Sequence, residues 1–404
     1  MHQHQGSIRR GLNNQMWFFK SPEFYFGEGS LAHLRELEGD RAFIVTDENI
    51  QKLGFVDLVQ AQLSRADISS QVFAEVEPDP SLDTVNRGAK AMQAYQPDWV
   101  IALGGGSSMD AAKAMWILYE NPDQGLELLS PWSTIGLRQK ARLITIPTTA
   151  GSGAESSYAM VLTDTEEERK LTLAVREATP DLAIVDPQLT AHLPRQITAN
   201  TGIDVLSHAL EAYSCTWAND FTDGLCLQAA RIVFKYLSRA VFNGANDEEA
   251  RERMANAASI AGITLGNSSV ALGHAMGHSA GAHFKNIPHG RITAIFVPYT
   301  LEFVGNSGEG RYLGMARVLN LRAANHKEAA LNIAAAMRYL MHNINLPLSL
   351  KEAGISSRDF EDALPSMVEN VEIDANLLQS RRIPETEEIE RLYRYAFEGT
   401  EVDF

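Results

Sequence analysis

The order of apolar and polar residues divides the chain into two halves with different predicted secondary structure. In the first half, short β-branched runs alternate with amphipathic stretches, a pattern that predicts alternating strands and helices. The predicted strands are 42–46, 71–76, 99–103, 142–146 and 183–185, and the clearest predicted helices are 52–63 and 81–95. Ser81 is placed to cap the second helix. This alternation predicts a mainly parallel sheet with helices on both faces.

An aromatic segment precedes the first of these strands. Residues 17–20 and 23–26 flank Ser21 and Pro22, and this pattern predicts a hairpin at the edge of the sheet. An edge so rich in aromatic side chains is prone to pair with another chain, so we expect a homodimer or a larger assembly.

The texture changes near residue 195, where strand-like runs nearly vanish. Helical periodicity then predicts helices at 198–217, 221–242, 248–266, 269–283 and 327–342. The fold class is therefore an N-terminal α/β domain with a parallel sheet, residues 1–194, followed by an all-α C-terminal domain, residues 195–404. Because no low-complexity linker separates the two domains, we expect them to pack as one rigid body around a cleft.

Composition excludes several classes of partner. The 404 residues carry a formal net charge of −16, which would repel a phosphate backbone or an anionic membrane, so we expect neither nucleic acid nor membrane as a partner. The sequence contains no apolar run long enough to span a bilayer, and residues 1–11 do not resemble a signal peptide. Cys215 and Cys226 are expected to be reduced and buried, as in a cytoplasmic protein.

Two glycine-containing loops follow predicted strands. Residues 103–110 read Leu-Gly-Gly-Gly-Ser-Ser-Met-Asp and lead into a helix, where free backbone N–H groups can bind a pyrophosphate. A tight strand-to-helix turn would explain these glycines equally well, because the usual GxGxxG fingerprint is absent. Residues 147–155, Pro-Thr-Thr-Ala-Gly-Ser-Gly-Ala-Glu, suit the wall of a cofactor or substrate site.

Asp47 ends the first predicted strand and has two interpretations. Beside a phosphate-binding loop, its carboxylate can accept the ribose hydroxyls of NAD and repel the additional phosphate of NADP. Taken alone, Asp47 is better explained as the cap of the helix that follows.

The placement of histidines indicates a metal site. Asp204 and His208 are four residues apart and share one helix face. Four of the eleven histidines, His274, His278, His283 and His289, fall within sixteen residues. A carboxylate and three imidazoles can bind Fe²⁺ or Zn²⁺, and these residue types do not separate the two metals.

These motifs together resemble the iron-containing (group III) alcohol dehydrogenases. The resemblance runs from about residue 16 to the C-terminus and rests on residues 104–113, 147–155, 181–187, 202–213 and 287–290. It is especially close to the alcohol dehydrogenase half of bifunctional aldehyde–alcohol dehydrogenases, so the chain looks like a free-standing version of that half. The resemblance implies an N-terminal dinucleotide-binding domain and a metal in the cleft. It also implies hydride transfer between NAD and a small primary alcohol, or diol, and its aldehyde.

The resemblance also assigns roles to individual residues. It implies that the metal ligands are Asp204, His208, His274 and His289. His278 would line the substrate and nicotinamide site without binding metal. The implied cofactor-binding residues are Asp47, Gly105, Gly106, Ser107, Asp110, Thr148, Thr149, Ser152 and Lys170.

Two departures from the family pattern lie on the substrate side of the metal. The interval from His274 to His289 is one residue longer than usual, which indicates an insertion in 283–289. Ser279 and Ala280 replace a pair that usually contains leucine.

Two other functions share some of these features. Glycerol dehydrogenase-like enzymes have the same two-domain plan and use zinc, but the context of Asp204 and His208 fits the iron branch better. A structural subunit of a filament or protein microcompartment is a second alternative, against which the full sets of ligand and cofactor residues argue.

Overall fold

The computed structural model describes residues 18–166 and 169–404. Its main sheet has six parallel strands in the order β1-β8-β5-β4-β2-β3, and β6 and β7 form a separate antiparallel pair. The strands are β1 (Glu23–Phe26), β2 (Arg41–Val45), β3 (Ser69–Phe73), β4 (Trp99–Gly104), β5 (Arg142–Pro147), β6 (Ala159–Asp164), β7 (Arg169–Ala174) and β8 (Leu182–Val185). The five strands predicted in the alternating half are confirmed.

Helices cover both faces of the sheet, as predicted. Alternate residues of β2 point to opposite faces, so that Ala42 and Ile44 join one apolar core while Phe43 and Val45 join the other. The helices of this half are α1 (Glu48–Lys52), α2 (Phe55–Leu63), α3 (Leu82–Tyr95) and α4 (Gly106–Glu120). The Ser81 hydroxyl accepts the Thr84 N–H, which confirms the predicted cap of α3.

The predicted N-terminal hairpin is wrong. β1 pairs in parallel with β8, and residues 18–20 form no strand, while Trp17 lies outside the described residues. The reason is a tertiary contact, in which the Lys20 N–H donates to Asn267 Oδ1 at 2.7 Å and Asn267 Nδ2 donates to the Lys20 carbonyl at 2.8 Å. The segment is thereby held against the helical half and does not fold back on β1.

The β6–β7 hairpin was not predicted. Met160, Leu162, Leu171 and Leu173 face inward and are buried. In β7 the two leucines alternate with Lys170 and Thr172, a strand signal, whereas in β6 the apolar Val161 between Met160 and Leu162 obscures it. The Thr163 N–H donates to the Pro80 carbonyl at 2.8 Å, so the hairpin is fixed to the loop that follows β3.

The second half is helical, as predicted. Its helices are α5 (Arg195–Ser214), α6 (Asp220–Asn243), α7 (Glu248–Asn267), α8 (Leu272–His283), α9 (His289–Ser307), α10 (Leu313–Val318), α11 (His326–Asn343), α12 (Ser357–Ile373) and α13 (Thr386–Glu398). The periodic pattern located five of them. It did not locate α9, α10, α12 or α13. α9 is buried on nearly all sides and contains Pro298, so it has no polar face that would give a periodic signal. Cys215 and Cys226 are buried and free, as predicted.

Close backbone contact joins the two halves. Gly153, which has a φ of +63°, lies against Gly262 of α7 so closely that a Cβ on Gly262 would lie 2.2 Å from the Gly153 carbonyl oxygen. The Ser156 hydroxyl donates to the Ser259 carbonyl at 2.8 Å, and the Ser259 hydroxyl donates to Glu155 Oε1 at 2.6 Å. These contacts support the expectation of a rigid pair of domains. Within the described residues, no helix is both long and apolar enough to cross a membrane.

Gly262→Ala tests this contact. Because the added methyl group would overlap the backbone of Gly153, we expect a loss of about 1–3 kcal/mol in the free energy of unfolding, measured by denaturant titration. Gly224→Ala is the matched control on α6, where a Cβ meets no atom within 4 Å. It should stabilise the protein by up to about 1 kcal/mol through helix propensity. Equal effects of the two substitutions would contradict the proposed role of the glycine contact.

Candidate metal and cofactor site

The two glycine-containing loops lie side by side because their strands pair in register. Gly104 ends β4 and Pro147 ends β5, and these residues are partners in the sheet. The Thr148 N–H donates to the Gly104 carbonyl at 2.9 Å. A Cβ on Gly105 would lie 3.6 Å from the Thr149 side chain. Both loops therefore line the same carboxyl edge of the sheet, the usual place for a nucleotide.

The first loop is built for close approach to a ligand. Gly104 has a φ of +152°, and a Cβ there would lie 2.5 Å from Ser108 Oγ, so another residue would be strained and crowded. α4 begins directly afterwards at Gly106, and its N-terminal residue Gly105 provides no side-chain cap. The N–H groups of the first turn, which includes Ser107, remain available to an anion. On the facing loop, Ser152 lies beside Gly106.

Asp47 caps a helix and also borders the glycine loop, while its contact with ribose stays a prediction. Its Oδ1 accepts the N–H groups of Asn49 and Ile50 at 2.8 and 3.2 Å, which caps α1. Its Oδ2 lies 3.7 Å from the position of a Cβ on Gly104, so the carboxylate also borders the glycine loop. The cap orients a negative charge toward the expected nucleotide.

Two other expected cofactor residues have protein partners in this structure. Asp110 Oδ2 accepts the Val161 N–H of β6 at 3.0 Å, and burial raises the pKa of Asp110 to about 6 against the opposing charge of Lys113. Lys170 Nζ forms an ion pair with Asp79 Oδ1 at 2.6 Å on the exposed side of β7. Contacts of Asp110 with pyrophosphate and of Lys170 with ribose stay predictions.

Asp204, His208, His274 and His289 converge in the helical half. Asp204 and His208 come from α5 and His274 from α8, while His289 is the first residue of α9. One ligand atom from each lies within 4.8 Å of all the others. Asp204 Oδ1 is 3.7 Å from His208 Nε2 and 4.0 Å from His274 Nε2. This set of oxygen and nitrogen atoms suits a four-ligand divalent metal site.

The cluster is electrostatically incomplete by itself. Asp204 Oδ1 and His274 Nε2 are buried and have no hydrogen-bond partner within the described part of the chain, an arrangement that is costly unless a cation is bound. Burial, and next the nearby His208, hold the pKa of His274 well below its usual value, so its imidazole is neutral, as a ligand must be. Although burial opposes ionisation of Asp204, His208 and His289 hold the pKa of Asp204 below its usual value. The residues therefore fit Fe²⁺ or Zn²⁺.

His283 lies outside this cluster. It is the last residue of α8 and is exposed, whereas residues 284–288 form the connection to α9. His289 begins α9 and joins the other three ligand candidates. The longer interval inferred from the family resemblance therefore does not separate His289 from the predicted ligand set.

The sequence analysis did not identify two carboxylates that contact the Nδ1 atoms of histidines in this site. Glu211 Oε2 contacts His274 Nδ1, and Glu211 Oε1 accepts the Gly273 N–H at 2.7 Å. A signal for Glu211 was present, because it lies seven residues after Asp204 on the same face of α5. Asp374 Oδ2 lies 3.1 Å from His278 Nδ1, and no local pattern could have linked residues 96 positions apart.

The metal and cofactor regions are adjacent. A Cβ on Gly151, in the second loop, would lie 2.5 Å from Thr201 Cβ, and Thr201 precedes the ligand Asp204 by less than one turn of α5. The same loop thus borders the glycine loop on one side and the metal-bearing helix on the other. His278 stacks beside His289 with ring centroids 5.4 Å apart, next to the cluster.

Comparisons with known proteins agree with this arrangement. The model of the iron-containing alcohol dehydrogenase family matches residues 21–187, and that of the C-terminal part of the Fe-containing alcohol dehydrogenase family matches 198–397. An NADPH-dependent butanol dehydrogenase of Clostridium saccharobutylicum is 37% identical over 96% of this chain and 100% of its own length. The chain belongs to the iron-containing alcohol dehydrogenase family, whose members are oxidoreductases.

Two further comparisons extend this result. The aldehyde-alcohol dehydrogenase 2 of Entamoeba histolytica is 37% identical over 95% of this chain, which spans 47% of that relative's length. A crystal structure of a 1,3-propanediol oxidoreductase superimposes with a TM-score of 0.87 at 30% identity, covering 95% of this chain and all of the other.

Replacing single histidines tests the ligand set. Because His274→Ala leaves three ligands around a buried carboxylate, we expect it to lose bound metal, measured by elemental analysis of the purified protein. His283→Ala and His278→Ala should keep the metal, since neither side chain belongs to the converging set. Full occupancy in His289→Ala together with loss in His283→Ala would show that His283 is the fourth ligand.

Glu211→Gln tests the support behind His274. A carboxylate that accepts a hydrogen bond from Nδ1–H leaves the lone pair of Nε2 free for a metal, so we expect this change to lower metal affinity by about 10–100-fold. Competition with a chelator measures that affinity. Glu248→Gln, at an exposed acidic position on α7, is the control and should leave metal affinity unchanged. Unaltered affinity in the Glu211 variant would contradict the support that we assign to this carboxylate.

Proposed function

We propose that this chain is an NAD-dependent, metal-dependent alcohol dehydrogenase that interconverts a small primary alcohol, or diol, and its aldehyde. The observation that carries the proposal is the convergence of Asp204, His208, His274 and His289 beside the loop that borders the glycine turn. The metal-ligand candidates therefore lie on one side of this loop. The N-terminus of α4, where an anion can bind, lies on its other side.

The proposed chemistry divides the work between the bound groups and the chain. A divalent metal would act as a Lewis acid on the substrate oxygen, and the nicotinamide would accept or return the hydride. The chain orients both groups, since one loop contacts α5 through Gly151 and the glycine turn through Ser152. His289 is exposed while the other three ligands are buried, so substrate would approach from the side of His289.

Relatives support the substrate class. Butanol and 1,3-propanediol appear in the names of a similar sequence and a similar structure, and both are small molecules with a primary hydroxyl group. In the pair Ser279-Ala280, the Ser279 hydroxyl donates to the Met367 carbonyl at 2.8 Å and so holds α8 against α12.

A substrate panel tests the proposed activity. We expect the purified protein, reconstituted separately with Fe²⁺ and Zn²⁺, to produce NADH from short primary alcohols or diols, measured by absorbance. The His274→Ala protein is the control and should produce none. Absence of turnover with every alcohol and aldehyde tried, in protein with full metal occupancy, would refute the proposed reaction.

Asp47 supports the preference for NAD, although the similar butanol dehydrogenase is named for NADPH. A carboxylate near the ribose would repel a 2′-phosphate by roughly 1 kcal/mol or more. We expect Asp47→Asn to raise kcat/KM for NADP relative to NAD by about tenfold. Asn retains the cap of α1 and removes only the charge, and Asp47→Gly should act in the same direction. Equal use of the two cofactors by the unmodified protein would contradict this role.

We also propose that the chain forms a homodimer or a larger homo-oligomer. β1 is the first strand of the sheet order and pairs only with β8 among the described residues, so one of its edges is open. Phe26 at its end is 65% exposed, and Phe19 nearby is 44% exposed. Light scattering at micromolar concentration should give at least twice the monomer mass of 44.5 kDa. A monomer would refute this assembly.

A further inference from the structure

α8 presents two histidines to two different carboxylates. His274 and His278 are one turn apart, and each has its Nδ1 beside a carboxylate, the buried Glu211 for His274 and the partly buried Asp374 for His278. His274 is 2% exposed and points Nε2 into the ligand cluster, whereas the side chain of His278 is 27% exposed. Because Nδ1 of His278 is bound by Asp374, Nε2 is the nitrogen that remains accessible.

The bond to Asp374 determines which nitrogen of His278 carries the proton. An ionised carboxylate can only accept a hydrogen bond, so Nδ1 must donate and Nε2 keeps its lone pair. Although burial opposes ionisation of Asp374, its hydrogen bond with His278 holds the pKa of Asp374 below its usual value. Asp374 is thus in the form that enforces this tautomer.

We propose that Asp374 is a positioning residue that makes His278 Nε2 the proton acceptor of the reaction; this role rests on the proposed function. During oxidation of an alcohol, the hydroxyl proton passes to His278 Nε2 as the carbinol hydride passes to NAD⁺, leaving an aldehyde and NADH. In the reverse direction, the same nitrogen returns the proton. The ring is well placed for this step because it stacks on the metal-ligand candidate His289.

Asn376 provides a way to test the tautomer by substitution. Its backbone N–H and its side-chain Nδ2 both donate to Asp374 Oδ1, each at 2.8 Å. In Asp374→Asn, the amide oxygen must therefore face Asn376, and the amide NH₂ must face His278. That NH₂ would donate to Nδ1, so the proton of the imidazole would move to Nε2 and the acceptor would be lost.

This orientation predicts an unusual order of activities. His278→Ala removes the proton acceptor and should give the lowest kcat of the three variants, a fall of about 100-fold or more. The kcat of Asp374→Asn should be nearly as low. The kcat of Asp374→Ala should fall less, because the imidazole of His278 is then free to adopt either tautomer. Metal content should stay unchanged in all three variants, and KM for NAD should stay unchanged in the two Asp374 variants. Asp374→Asn should add no further loss in a His278→Ala background.

A purely structural role for Asp374 predicts the opposite order, because Asn matches the shape of Asp and Ala does not. If Asp374→Asn keeps more activity than Asp374→Ala, the proposal is overturned.

Nitrogen NMR tests the tautomer without turnover. In protein with ¹⁵N-labelled histidine, the His278 signals, identified by their loss in His278→Ala, should show protonated Nδ1 in the unmodified chain and protonated Nε2 in Asp374→Asn. Protonated Nε2 in the unmodified chain would overturn the proposal regardless of activity. Protonated Nδ1 in a protein that oxidises no alcohol would instead overturn the proposed function, and the proton-acceptor role with it.

Discussion

The helical half depends on bringing one carboxylate and three imidazoles to a common buried point. Short side chains can meet only if their backbones approach closely. A Cβ on Gly290 would lie 2.3 Å from the Asn200 carbonyl oxygen, and a Cβ on Gly277 would lie 2.9 Å from Thr293 Cα. These glycines let α9 pack on α5 and on α8 at the level of the ligands. The convergence concentrates unpaired buried polar atoms, which a divalent cation would satisfy.

The cofactor side is constrained by sheet geometry. Parallel pairing of Gly104 with Pro147 places two loops at one edge, and the second loop continues into contact with α5 and α7. The distance between the anion-binding helix terminus and the metal ligands is therefore set by packed backbone. A dehydrogenase benefits from such a connection, because hydride transfer requires donor and acceptor carbons in near contact.

Two histidines of α8, each contacted by a carboxylate, differ in their burial and therefore in their proposed roles. His274 and His278 share a helix, and both have Nδ1 against a carboxylate, yet only His274 is enclosed by other ligands. In the roles proposed above, enclosure directs the remaining nitrogen of His274 to a metal, while partial exposure leaves that of His278 to a substrate. Ser279 holds α8 against α12, the helix that ends next to Asp374, so the unusual Ser279 supports this arrangement.

The sequence by itself determined the alternating half, the start of the helical half and the pairing of Asp204 with His208 on one helix face. These features depend on local periodicity and on spacing within one helix. The choice of His274 and His289 from the four clustered histidines came from the family resemblance. Tertiary structure decided the rest. Lys20 was predicted to lie in a hairpin but instead binds Asn267, and Asp374 reaches His278 from 96 residues away. Hydrogen bonds between residues far apart in the sequence produce no periodic sequence pattern. Which residues meet is determined by the packing of whole helices and strands and not by their sequence neighbours.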